Sequence, residues 1–332
     1  MNFSRIRLGV VAALAASGIV AVSAPMPTAA ADGPGVRYIS FGDSQTAAVY
    51  AGGGGPLGLP ELQQQPKTVP PPNPVACGRT NYGWPSTLAG EWGLGAPQLG
   101  DWADYACQSA TTDIEPVNNL RTQVDQSIKD GMLGPATKLV TIQIGGNDTW
   151  YPGQQSSFVY TLVLCMVDIL RGCDDRVDPN LYLDANAVTG ASLAQRLTAG
   201  LRGDIIGAIR AAAPNVAIKL VGYPDPLPPV GVPFVCTHVV GIPVPWPQAR
   251  SAYAHKLSDA VESAQRDAAE QLGLGFWSLR PPTAGHDACA ADSYWTGVAD
   301  PGQSFFPFHQ TLQGHAVEGT YLNGARIAEG IG

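Results

Sequence analysis

Short apolar runs alternate with amphipathic stretches along this chain. Residues 36–41 form a β-type apolar run that ends at Gly42. Residues 138–144 read as a buried strand closed by Gly145 and Gly146, and residues 216–222 and 275–279 read as two more. Helical spacing of apolar positions covers residues 88–92, 120–129, 191–213, 249–272 and 315–328. Strands that alternate with helices predict a parallel sheet covered on both faces. Two stretches break the alternation. Residues 51–74 are dense in Gly, Pro and Gln and predict an exposed loop insertion, either inert or a lid. Residues 222–246 hold seven prolines and predict a long irregular excursion. Gly53, Gly55 and Gly58 match GxGxxG, but Pro56 and Pro60 interrupt them and no helix follows, which excludes a dinucleotide site.

The amino terminus adds a compartment to this picture. Arg5 and Arg7 precede an apolar stretch over residues 8–22, and Ala29-Ala30-Ala31 suits cleavage before Asp32. The apolar stretch is shorter than the roughly 20 residues of a spanning helix. Residues 1–31 are therefore expected to be a cleaved signal peptide, and residues 32–332 a single domain, secreted or held at the cell envelope. Loss of Arg5 and Arg7 would take the net charge from −8 to −10. An acidic exported chain without Lys/Arg runs is a poor partner for nucleic acid. Charge alone would not hold it on anionic lipid, so membrane or envelope contact would be transient. A monomer is expected.

Six cysteines follow the leader, an even number that predicts three disulfides in an oxidising compartment. Sequential pairing, Cys77–Cys107, Cys165–Cys173 and Cys236–Cys289, is the expectation, with other pairings open. No CxxC pair occurs and the histidines lack zinc-ligand spacing, so no metal is expected.

Gly42-Asp43-Ser44 puts a hydroxyl at the carboxyl end of the first strand, where open α/β sheets place their sites. Serine needs a base to take its proton. Of the five histidines, His309 and His315 sit in an aromatic loop that leads into the last helix, and on the residues alone either could serve. The GxSxG elbow is absent, so a serine hydrolase here needs another scaffold.

With these parts in order, the chain resembles the SGNH hydrolases, the GDSL lipase/esterase superfamily, and within it a secreted actinobacterial type. Gly42-Asp43-Ser44 resembles the nucleophile block. Ala106-Cys-Gln-Ser-Ala-Thr111 resembles the second block, and Gly145-Gly146-Asn147-Asp148 the third. Phe308-His309 with Gly314-His315 resembles the histidine block. The resemblance implies a three-layer α/β/α flavodoxin-like fold with a parallel sheet of about five strands and long loop insertions. It implies Ser44 as nucleophile and His309 as general base, with His315 structural. It implies an oxyanion hole from the Ser44 and Ser109 main-chain N–H groups and the Asn147 amide, supported by Asp43 and Gly146. No metal or organic cofactor is implied, and the substrate class is a small-molecule or lipid ester.

This chain departs from the family pattern in three places. Residue 45 is Gln instead of Leu. Ser109 stands where the second block usually has Gly. Phe306 stands where the family often has Asp, which implies a Ser–His dyad oriented by a main-chain carbonyl near Phe306. The same parts would also fit a carbohydrate O-acetyl esterase or an acyltransferase. A decayed, non-catalytic cell-surface or wall-binding protein is a further alternative, against which Ser44, Asn147 and His309 stand together.

Overall fold

The structure is a computed structural model. It describes residues 33–48, 77–96, 100–113, 119–148, 157–158, 161, 190–232, 234–239, 242–248, 251–295 and 309–332. The expected leader, the 51–74 insertion, Cys165, Cys173, Phe306 and Phe308 lie outside them.

Five strands, β1 (Tyr38–Gly42), β2 (Trp102–Asp104), β3 (Leu139–Gln143), β4 (Ala217–Val221) and β7 (Gly275–Trp277), form one sheet in the order β2-β1-β3-β4-β7. Every pairing in it is parallel. Strand order reverses between β1 and β3, the switch point where the carboxyl ends of doubly wound sheets open a crevice. Residue parity sorts the side chains. Ile39, Phe41, Val140, Ile142, Ile218 and Leu220 pack on one face, against α3 (Leu120–Lys129), α4 (Gly190–Leu201) and α6 (Ser251–Leu272). Tyr38, Leu139, Val221 and Trp277 pack on the other, against α2 (Trp84–Glu91) and α8 (Leu312–Ala328). Two apolar faces of one sheet, each covered by helices, make a three-layer α/β/α architecture.

Local detail departs from the sequence reading in three places. The helix expected over 191–213 is interrupted by a π-helical turn, Arg202–Ile206, before α5 (Gly207–Ala212). Strand β2 has only three residues, too few for a periodic signal. The supposed irregular excursion contains an antiparallel hairpin, β5 (Phe234–Val239) with β6 (Ile242–Pro247), joined to the main body by the disulfide Cys236–Cys289. Pro243, Pro245 and Pro247 occupy alternate positions of β6, so their missing N–H groups all fall on one side. In a two-stranded sheet that side can be the unpaired edge, and the prolines are tolerated there.

Candidate active site

β1 stops at Gly42 because the backbone turns tightly there. A Cβ on Gly42 would stand 2.7 Å from the Gln143 carbonyl oxygen. Asp43 then caps α1 (Ser44–Ala47), its carboxylate accepting the Gln45 N–H at 3.0 Å. Ser44 is the first residue of α1, so its N–H has no intrahelical acceptor. The Asp43 N–H donates to the Gln143 carbonyl at 3.1 Å, which ties this turn to the end of β3.

Past β2 the chain meets the same edge. The Cys107 N–H donates to the Gly42 carbonyl at 3.0 Å, and the Gln108 N–H to the Cys77 carbonyl at 3.0 Å. The disulfide Cys77–Cys107 closes this loop at its base, across a sequence separation of 30. A loop of that size corresponds to about 3–4 kcal/mol of stabilisation in the chain-entropy account. Ser109 follows, exposed and at φ +60. That is left-handed backbone, where glycine is favoured and where serine carries a steric cost.

Past β3, the Asn147 side-chain amide donates to the Ala110 carbonyl at 3.2 Å. The next residue, Asp148, accepts the Thr112 N–H at 2.9 Å and the Thr112 hydroxyl. Burial pushes the Asp148 carboxyl up to about 6 despite these donors. The second and third blocks are thus pinned together by two adjacent side chains.

Several polar residues that hold the site carried no recognisable sequence signal. The Gln123 amide covers both backbone groups of Gly42, accepting its N–H at 2.9 Å and donating to its carbonyl at 2.8 Å. Gln143 accepts from the Thr46 hydroxyl at 3.0 Å and the Trp84 indole at 3.2 Å, and donates to the Gly222 carbonyl at 2.9 Å. Tyr223, just past β4, donates to the Asp43 carboxylate and accepts the Gly146 N–H at 2.9 Å. Burial raises the Asp43 carboxyl to about 7, opposed by the hydrogen bonds from Tyr223 and Gln45.

His309 is buried one residue before Gln310, which forms an isolated antiparallel bridge with Trp295. The Thr311 N–H donates to the Tyr294 carbonyl at 2.8 Å, and the Thr311 side chain caps α8. α8 packs along α2: a Cβ on Gly319 would meet the Trp84 carbonyl at 2.6 Å. The start of α2 in turn abuts α1, since a Cβ on Gly83 would stand 2.8 Å from the Thr46 carbonyl. His309 therefore precedes a helix on the face that carries α1.

His315, one turn into α8, is fully buried with its Nδ1 3.6 Å from Glu318. Burial lowers its pKa to about 3, so the imidazole is neutral near pH 7, and raises that of Glu318 well above 4.5. A depressed histidine pKa contributes stability that is present above the ordinary value of 6.5 and is lost as pH falls toward 3. Between pH 6.5 and 5 that loss is about 2 kcal/mol. Asp43 and Asp148, raised to about 7 and 6, act in the opposite sense and gain stability on acidification. Denaturant titration of His315→Gln beside the wild type isolates the histidine. The stability difference between the two proteins is expected to shift by about 2 kcal/mol in the variant's favour from pH 6.5 to 5. A constant difference would refute a neutral buried His315.

The structure thus brings Asp43, Ser44, Cys107, Ser109, Gly146 and Asn147 to the carboxyl edge around β1 and β3, with Tyr223 joining them. Phe306 lies outside the described residues. Among the described residues no His/Cys/Asp/Glu group is arranged to hold a metal ion.

Residues 40–317 match the GDSL-like lipase/acylhydrolase family. Lipase 2 of Streptomyces coelicolor is 29% identical over 290 residues, covering 85% of this chain and 82% of that protein. Lipase 1 of the same organism is 26% identical over 211 residues, covering 62% of this chain and 67% of that protein. Among solved structures, an extracellular lipase from Streptomyces rimosus shares the fold with a TM-score of 0.53. It is 19% identical, and the match covers 87% of this chain and 98% of that one.

Proposed function

Because the chain belongs to the GDSL-like lipase/acylhydrolase family and is a carboxylic ester hydrolase, we propose that it works through an acyl-enzyme on Ser44. In this reading His309 takes the Ser44 proton as Oγ attacks the ester carbonyl. The tetrahedral oxyanion is held by the Ser44 and Ser109 N–H groups and the Asn147 amide. His309 returns its proton to the departing alcohol, and then activates the water that releases the acid. A main-chain carbonyl near Phe306 orients the imidazole. The observation that carries this reading is the uncommitted N–H of Ser44 at the switch point, together with the Asn147 amide bonded to the Ala110 carbonyl next to Ser109 in left-handed backbone.

Export with loss of residues 1–31 belongs to the same reading. The disulfides Cys77–Cys107 and Cys236–Cys289, with no free cysteine among the described residues, support it. An apolar acyl chain is the favoured substrate. Residues 226–249 carry no Asp, Glu, Lys or Arg in a chain of net charge −8, and their hairpin exposes Val239 and Ile242. The two curated relatives are named lipases.

The test is hydrolysis of p-nitrophenyl esters from acetyl to long acyl chains by oxidised protein. A fluorophosphonate label would be mapped by mass spectrometry alongside. Labelling at Ser44 and preference for medium or long acyl groups are expected. Strict preference for acetyl would move the substrate to the O-acetyl esterase class. Turnover with label on another residue would remove Ser44 from the mechanism.

A further inference from the structure

The Tyr223 hydroxyl has two partners that come from the two loops of the site. One is Asp43, 180 residues earlier, whose carboxylate lies 2.5 Å away. The other is the Gly146 N–H at 2.9 Å. A backbone N–H can only donate, so the hydroxyl accepts there and gives its single proton to Asp43. Asp43 spends its other oxygen on the Gln45 N–H, at 3.0 Å. The result is one chain of hydrogen bonds running from Gln45 through Asp43 and Tyr223 to Gly146. Ser44 lies between the first two members, and Asn147 directly follows the last. The same geometry commits the Gly146 N–H to Tyr223, so this N–H is not offered to an oxyanion.

β1 and β3 are hydrogen-bonded neighbours, but their ladder ends at Gly42 and Gln143. Beyond it, the Asp43 N–H to Gln143 carbonyl bond fixes the root of the nucleophile turn. The Tyr223 bridge spans the next step, between the tips of the two loops. Its ring packs against the main core, so the hydroxyl is held from a third strand, β4, and not from either loop. Burial keeps the phenol protonated, its pKa raised well above 10.

We propose that Tyr223 is a positioning residue for ester hydrolysis, its hydroxyl setting the spacing between the Ser44 turn and the Asn147 loop. The inference rests on the reading of Ser44 and Asn147 given above. It predicts that Tyr223 acts on the transition state through Asn147, without touching substrate.

Tyr223→Phe keeps the ring in the core and removes only the bridge. Its kcat on a p-nitrophenyl ester is expected to fall about 10- to 100-fold with KM within about twofold, the signature of lost alignment. The loss should not multiply with that of Asn147→Ala: the double variant should stay within about threefold of Asn147→Ala alone. Asp43→Asn disturbs the same link from its other end. It keeps an acceptor for Gln45 but turns an amide N–H toward the hydroxyl, whose own proton then loses its acceptor. It should therefore lower kcat to a similar extent, and if Tyr223→Phe does not fold, this variant carries the test.

Undiminished kcat in either folded variant, or losses that multiply with Asn147→Ala, would overturn the inference. Failure of the underlying site reading looks different: Ser44 in the wild type would then resist fluorophosphonate, whatever residue 223 is.

Discussion

Ser44→Ala is expected to abolish ester turnover while leaving the fold intact. Removing the nucleophile of a serine hydrolase costs about 10⁶ in kcat, because the acyl-enzyme route closes and only binding and oxyanion stabilisation remain. Ser44 is half-buried, makes no side-chain hydrogen bond among the described residues, and starts a four-residue helix that Asp43 caps. Truncation to alanine therefore removes little packing, and the melting temperature should stay near that of the wild type. His309→Gln should lose nearly as much activity, since an unassisted serine hydroxyl is a poor nucleophile. The double variant should be no slower than either single one, because base and nucleophile act as a unit. Steady-state turnover of a p-nitrophenyl ester, with circular dichroism as the check on folding, reads all three. Residual activity in folded Ser44→Ala above about a thousandth of wild type would mean that another group carries the acyl transfer.

What the chain disclosed in advance follows from the reach of each signal. β1, β3, β4 and β7 were legible because a buried parallel strand is a short apolar run closed by Gly or a loop. The Gly42-Asp43-Ser44 and Gly145-Gly146-Asn147-Asp148 blocks stood out because each is contiguous in sequence and follows such a run. β2 was not, since Trp102, Ala103 and Asp104 are too few to show a period. The β5–β6 hairpin was hidden by Pro243, Pro245 and Pro247, which argue against a strand until their common side is seen. Tyr223, Gln123 and Gln143 were illegible for a different reason. Each links segments distant in sequence through one side chain, and a long-range polar bridge leaves no periodicity. Ser109 is an intermediate case. Its departure from the usual Gly was visible, but only the backbone at φ +60 gives it meaning: the turn is still left-handed, and a non-glycine residue now holds it.

That geometry bears on the proposed oxyanion hole, where the second large effect is expected. Asn147→Ala should lower kcat by about 10²–10³ with KM little changed, as loss of one preorganised oxyanion donor does. The amide donates to the Ala110 carbonyl at 3.2 Å, and its nitrogen carries a second proton, which the proposed mechanism gives to the substrate oxygen. The same side chain can thus hold the Ser109 turn and meet the transition state. Alanine would release both, so the fall in kcat alone does not separate a lost donor from a displaced Ser109 N–H. Asn147→Asp does, because it preserves size, removes both amide donors and places a negative charge where the oxyanion must form. If the amide acts by donation, the aspartate variant should be slower than the alanine variant. If its role were only to brace the loop at Ala110, the two would be similarly impaired. Near-normal kcat in a folded Asn147→Ala protein would leave the oxyanion to the Ser44 and Ser109 N–H groups. The adjacent Asp148, anchored on Thr112, would then suffice to hold the two loops in register.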